Sequence, residues 1–154
     1  MKVLRTIKIK VPSNLQSLDK VLAEFNQIYQ DFIPLRDWLQ CRLALAEGFT
    51  NAVRHAHKNL PPDVSIRIEV FLSQTDIKIK IWDYGSAFDL QNFIAENAQK
   101  NNDWLGSGRG IPIMNKICDR LNYYRTEKQE NCLLIVKLFD NHQPDNNSNS
   151  QDTN

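Results

Sequence analysis

Three short stretches of this chain bring together residue types that could do chemistry. In "LAEGFTNAVRHAH", Glu47 and Asn51 stand four residues apart and project from the same side of a helix, with Arg54 close to that row. A carboxylate and an amide oxygen on one ledge can orient a hydroxyl and hold a hard cation such as Mg²⁺. An ordinary polar helix face would also explain them. Such a face usually carries Lys and Glu pairs, however, and this one mixes Leu43, Ala44, Glu47, Asn51 and His55. In "IKIWDYGSAFD", Asp83 falls in phase with Ile77, Ile79 and Ile81 and so points to the face they bury. An unpaired buried carboxylate costs on the order of several kcal/mol, so something must donate hydrogen bonds to it. The exocyclic amine of an adenine ring would do so, and Gly85 would let backbone approach the flat base. An Asx turn closing the strand is the alternative. In "LGSGRGIPIMNKI" lie Gly106, Gly108 and Gly110, three of the chain's five glycines. Glycines ahead of a helix leave backbone N–H groups free for phosphate at the positive end of the helix dipole, and Arg109 adds a positive charge. A flexible loop bearing an arginine is the plainer reading. A Walker A loop would end in Gly-Lys-Ser/Thr, and a Rossmann fingerprint would follow a strand; neither fits here.

The elements that must position these residues are legible from periodicity. Residues 4–13 alternate and predict a strand. A helix is expected over about 15–32, with Leu18, Val21, Leu22, Phe25 and Ile28 on one face. A longer helix runs from near Leu35 to His57 with an apolar stripe of Trp38, Leu45, Phe49, Ala52 and Ala56, and Pro61-Pro62 forbids its continuation. Two strands with period-2 patterning follow: Val64, Ile66, Ile68, Val70 and Leu72, then Ile77, Ile79 and Ile81, joined by a "SQTD" hairpin turn. A short helix is predicted over 90–98, then the polar loop "QKNNDW". The glycine cluster opens a helix carrying Ile113, Ile117 and Leu121, and two more strands end the pattern. This order predicts an α+β, two-layer sandwich: a mixed, mostly antiparallel sheet with helices on one face.

Length and composition narrow the remainder. At 154 residues the chain suits one domain, burying close to ~70% of the surface its unfolded form would expose. A formal net charge of +1 gives no push toward nucleic acid. No apolar run is long enough for a bilayer, and "MKVLRTIKIKVPS" lacks the apolar core of a signal peptide, so a cytoplasmic protein is expected. Cys41, Cys118 and Cys132 are odd in number and sit in apolar-periodic segments, as reduced, buried thiols do. Residues 140–154 are polar and rich in Asn; they are expected to form a disordered tail, with His142 inert.

Taken in order, Glu47-x-x-x-Asn51, Asp83-x-Gly85 and Gly106-x-Gly108-x-Gly110 resemble the N, G1 and G2 boxes of the GHKL ATP-binding superfamily, which includes gyrase, histidine kinases and mismatch-repair ATPases. Within it the compact chain is most similar to bacterial anti-sigma-factor serine/threonine kinases. The likeness covers nearly everything from the first strand to about Phe139, so 1–139 is expected to be a histidine-kinase-like ATPase unit. The resemblance implies ATP or ADP with Mg²⁺ as cofactors. It implies that Asn51 coordinates the cation, Glu47 takes the proton of the attacking hydroxyl and Asp83 accepts from adenine N6 beside Gly85. Gly106, Gly108, Arg109 and Gly110 would cover the phosphates, and Arg54, Phe88 and Ile111 are further expected nucleotide contacts. The implied acceptor is a serine on a STAS-type anti-sigma-factor antagonist; a sigma factor is a second implied partner, and a homodimer the implied assembly, with no membrane. Ala87 departs from the family's second G1-box glycine, which puts the turn and nucleotide affinity in question, as the short "QKNNDW" lid does lid closure. A histidine-kinase ATP domain would need an adjacent helix pair with a phosphorylatable His, for which the chain has no room. Two other readings stand beside the kinase: a nucleotide-binding regulator that sequesters a partner, and an α+β interaction domain without nucleotide.

Overall fold

A computed structural model describes residues 2–97 and 110–140. The alternating segments become five strands, β1 (Arg5–Pro12), β2 (Ser65–Leu72), β3 (Asp76–Asp83), β4 (Arg120–Arg125) and β5 (Asn131–Leu138). They form one sheet in the order β1-β2-β3-β5-β4, and the expected mostly antiparallel sheet is antiparallel at every described pairing. Period 2 decides which side is covered: Ile66, Ile68, Val70, Leu72, Ile77, Ile79 and Ile81 are all buried, whereas Lys78 is exposed. On the opposite face Arg67 lies over the Trp82 ring and Lys80 over Phe71, so cations shield the large apolar rings there. The predicted "SQTD" hairpin is closed by Ser73, whose N–H donates to the Asp76 carbonyl (3.0 Å) and whose Oγ donates to Asp76 Oδ1 (2.7 Å).

Among the described residues four helices cover the apolar face: α1 (Leu18–Asn26), α2 (Leu35–Asn51), α3 (Leu90–Asn97) and α4 (Gly110–Ile117). The first predicted helix is shorter than its pattern. A 3₁₀ turn over Leu15–Ser17 precedes α1, which stops at Asn26, and Ile28 is buried from the connection instead. Phe25 of α1 stacks on Trp38 of α2 with ring centroids 4.3 Å apart, which fixes how the two helices meet. The second predicted helix is α-helical only to Asn51; Ala52–Ala56 forms a π-turn. Leu121, expected on the last helix, lies on β4, because the chain leaves α4 at Ile117 and the Leu121 side chain enters the core from the sheet. Cys41 and Cys132 are buried and Cys118 half-buried, all three as free thiols; burial raises the Cys118 thiol to about 12. Among the described residues no helix is long and apolar enough to cross a membrane. Of the expected tail only Asp140 is described, and its N–H donates to buried Asp37 Oδ2 (3.0 Å); His142 lies outside the described residues.

Candidate functional site

The site lies where β3 ends against the last turns of α2. Ladder pairing carries Asp83 to the final position of β3, opposite Asn131 of β5. As its phase predicts, the Asp83 side chain is buried, at 3% exposure. Its hydrogen-bond partners are all neutral donors. Gly85 N–H and Asn131 Nδ2 donate to Oδ1 at 2.9 Å each, and the Tyr123 hydroxyl donates to Oδ2 at 2.7 Å. The Asx turn weighed as an alternative is therefore present, together with the buried acid rather than instead of it. Among the described residues no arginine bonds to the carboxylate: Arg125 donates to Gly85 O (3.2 Å) and Asn131 Oδ1 (3.4 Å). A carboxylate offers about four acceptor positions, and the donors among the described residues fill three, two on Oδ1 and one on Oδ2.

Tyr123 and Asn131 were not singled out from sequence. The signal was faint, a tyrosine on the inner phase of β4 and an asparagine immediately before the apolar run of β5. Burial, then its hydrogen bond to Asp83, pushes the Tyr123 hydroxyl well above the ordinary tyrosine range, so it stays a donor at all physiological pH. Asn131 Nδ2 also donates to Gly85 O (2.9 Å), so one amide ties the acid to the turn that follows it.

On α2, Glu47 and Asn51 occupy half-buried positions on one ledge, as their spacing predicts. The first residue of α4 rests on that ledge. A Cβ added at Gly110 would sit 2.7 Å from Glu47 Oε2 and 3.2 Å from Asn51 Nδ2, so any larger residue there would make the Glu47 side chain move. Pro112 is tolerated there because first-turn residues have no intrahelical acceptor for their N–H. Beyond Asn51 the π-turn inserts an extra residue per turn, closed by the His57 N–H donating to Ala52 O (2.9 Å). This brings the Ala56 backbone against Gly85, where a Cβ would lie 2.5 Å from Ala56 O. His57 is turned inward and buried, and its Nε2 accepts the Tyr84 N–H at 2.9 Å. Desolvation lowers the His57 pKa and the nearby Asp83 charge partly restores it. With Nε2 accepting, the proton resides on Nδ1, which is buried without a hydrogen-bond partner among the described residues. Leaving such a group unpaired costs about 1–3 kcal/mol.

These elements enclose a cavity of about 490 Å³, a size typical of small-molecule sites. Of the residues singled out from sequence, Asn51, Asp83, Gly85, Phe88 and Ile111 line it. Ala87 also lines it, and it does not occupy a left-handed conformation; among the described residues Gln129 is the one non-glycine that does. The turn at Ala87 therefore runs without the left-handed conformation that a glycine there would allow. Phe88 is exposed at 44% and packs toward Phe93 and Tyr123. Glu47 stands beside the cavity under Gly110, and Arg54 is exposed and not among the lining residues. Gly106, Gly108 and Arg109 lie outside the described residues. His55, Asn59, Tyr84, Phe93, Met114 and Tyr123 are lining residues that sequence reasoning did not assign.

The donor set fits a nucleotide carrying a cation. A buried acid that meets only neutral donors among the described residues suits an amine, and an apolar wall of Ile81, Met114 and Leu133 suits a flat base. Among the described residues no three His, Cys, Asp or Glu side chains gather as a metal cage. Asn51 Oδ1 would supply one oxygen to Mg²⁺, an ion that usually keeps waters and takes substrate phosphate oxygens as its other ligands.

Comparison with known proteins agrees with this geometry. The chain is 24% identical over 125 residues to the serine-protein kinase RsbW of Staphylococcus aureus (strain MRSA252), covering 77% of this chain and 79% of that protein. It is 23% identical over 131 residues to the anti-sigma F factor of Pasteuria penetrans, covering 84% and 79%. The family pattern described as "Histidine kinase-like ATPase domain" matches residues 11–137, nearly the whole of the sheet and its helices. The chain belongs to the histidine kinase-like ATPase family.

Proposed function

We propose that this protein is an anti-sigma regulatory serine/threonine kinase that transfers the terminal phosphoryl group of ATP to a serine on a STAS-type antagonist. In this reading residues 1–139 form the ATP-binding kinase unit, 140–154 a polar tail, and the protein works in the cytoplasm, as a dimer, on a sigma factor and its antagonist. The observation that carries the reading is the buried Asp83, which meets only neutral donors among the described residues, set across a cavity from the Glu47–Asn51 ledge. Adenine N6 would donate to Asp83 Oδ2, with the ring lying over Gly85 and between apolar side chains. Asn51 would hold the Mg²⁺, which when bound neutralises phosphate charge and aligns the terminal phosphoryl group. Gly110, the first residue of α4, packs on the same ledge, and the positive end of that helix would favour an anion there. Gly106, Gly108 and Arg109 precede it in the chain and would complete the phosphate cover. Arg54, exposed on the π-turn, would reach the phosphates from the rim, while Phe88 and Ile111 flank the base. Glu47 would accept the serine proton as the oxygen attacks phosphorus and ADP departs. Phosphoryl transfer needs little covalent help, so placement of these groups carries most of the rate.

Two findings outside the site support the partner assignment: the relatives named a serine-protein kinase and an anti-sigma F factor are matched over about four-fifths of their length. The test is incubation of purified protein with labelled ATP, Mg²⁺ and a serine-bearing STAS protein. Label on the partner's serine is the expected result. Tight ATP binding with no transfer would instead favour a regulator that sequesters its partner.

A further inference from the structure

We propose that His57 is a positioning residue: its imidazole latches the 83–85 turn to the end of the α2 helix and thereby holds the base end of the cavity in register with Asn51. This rests on the reading that Asp83 receives an adenine base.

The latch is built from three contacts. Tyr84 N–H, the peptide group immediately after Asp83, donates to His57 Nε2 at 2.9 Å. The His57 and Tyr84 rings lie nearly parallel, 26° apart, with centroids 6.3 Å apart. One residue further on, Gly85 is pressed against the Ala56 backbone so closely that no side chain fits between them. His57 itself is not a lining residue of the cavity, so it touches no ligand there; it acts through the peptide plane that sets the Asp83 carboxylate. Its orientation comes from the π-turn, because an ordinary α-helical turn would rotate position 57 by about one residue away from β3.

Two features mark this as more than core packing. A histidine buried only to fill space would pair both nitrogens, yet Nδ1 has no partner among the described residues while Nε2 spends its lone pair on Tyr84. The neutral form that this bond needs is the form that burial favours, against the pull of the Asp83 charge. The π-turn itself departs from the helix at the residue after Asn51, and such bulges commonly sit at functional sites.

The test compares His57→Leu with His57→Gln, whose amide oxygen reaches the place of Nε2 and accepts the same N–H. Two quantities are read in the full chain: hydrogen exchange of the Tyr84 amide by NMR, and the dissociation constants of MgATP and of MgITP, whose base lacks the exocyclic amine. His57→Leu is expected to speed Tyr84 exchange and weaken ATP binding about tenfold, while ITP changes by about twofold or less. His57→Gln is expected to restore both. A general structural role would weaken both nucleotides alike, so a folded His57→Leu protein with the wild-type ATP-to-ITP ratio overturns the proposal. Should His57→Leu not fold, His57→Gln decides alone: a protected Tyr84 amide with the wild-type ratio supports the latch, and loss of either overturns it. A wild-type protein that does not prefer ATP to ITP overturns the base assignment instead, and Tyr84 exchange in the two variants then decides the latch by itself.

Discussion

Replacing Asp83 by Asn tests the base assignment with the least change of shape. In the wild type Asp83 accepts from Gly85 N–H, Asn131 Nδ2 and the Tyr123 hydroxyl. An asparagine oxygen in the Oδ1 position keeps the first two bonds. Its new NH₂ replaces Oδ2, and the Tyr123 hydroxyl can rotate to accept from it. The fold therefore exchanges three charge-assisted bonds for neutral ones and turns the Tyr123 hydroxyl proton away from its acceptor, a cost of about 1–3 kcal/mol. Nucleotide binding fares worse. The adenine amine would lose a hydrogen bond to a charged acceptor, about 1.5–3 kcal/mol, and meet a donor in its place, about 1–3 kcal/mol more. At 1.4 kcal/mol per decade, affinity for MgATP should fall about 10²-fold or further. Titration calorimetry reads this directly. Thermal melting gives a second reading, since ligand at 100 times its dissociation constant stabilises the wild type by about 2.7 kcal/mol, and that increment should vanish in the variant. Equal affinity for ATP in the wild type and a folded Asp83→Asn protein would refute the assignment of the base to this carboxylate.

Three other outcomes follow from the same geometry. Glu47→Ala should keep ATP affinity within about threefold yet lower serine phosphorylation by about 10²-fold or more, as loss of a general base does; loss of binding would make Glu47 structural. Gly110→Val would place its Cβ 2.7 Å from Glu47 Oε2 and 3.2 Å from Asn51 Nδ2, so phosphate binding should weaken while the melting temperature, checked by calorimetry, falls only modestly because the Glu47 side chain can swing aside. Stability should also depend on pH through His57. Its folded pKa lies below the ordinary value of 6.5, so the unfolded chain takes up the proton first as pH falls. The stabilisation is complete above the unfolded pKa and is lost as pH drops from there toward the lowered folded pKa; urea unfolding at pH 7.5, 6.5 and 5.5 should show a slope that His57→Gln flattens.

The buried phase of Asp83 was legible because strand periodicity is local. Side chains alternate by backbone geometry alone, and three isoleucines at positions 77, 79 and 81 leave their in-phase neighbour one place to go. The same reasoning put Glu47 and Asn51 on one helical ledge, and the short "SQTD" between two alternating runs marked a hairpin turn. Helix ends were less legible. The apolar spacing of residues 15–32 continues past Asn26, and nothing in the run of Ala52–Ala56 announces a π-turn, because packing against β3 rather than propensity selects it.

The sequence by itself determined the layered α+β order, the burial of the acid and the order of three motifs, since each rests on spacing within a dozen residues. Only the tertiary structure decided who meets whom across the sheet. Asp83 lies 40 residues from Tyr123 and 48 from Asn131, and only strand register brings those side chains within hydrogen-bond distance. The meeting of Gly110 with Glu47, and of Tyr84 with His57, depends likewise on how closely helix and sheet backbones pack. Period and phase are properties of one chain segment, whereas contact is a property of two, and its geometry is settled when both are buried in one core.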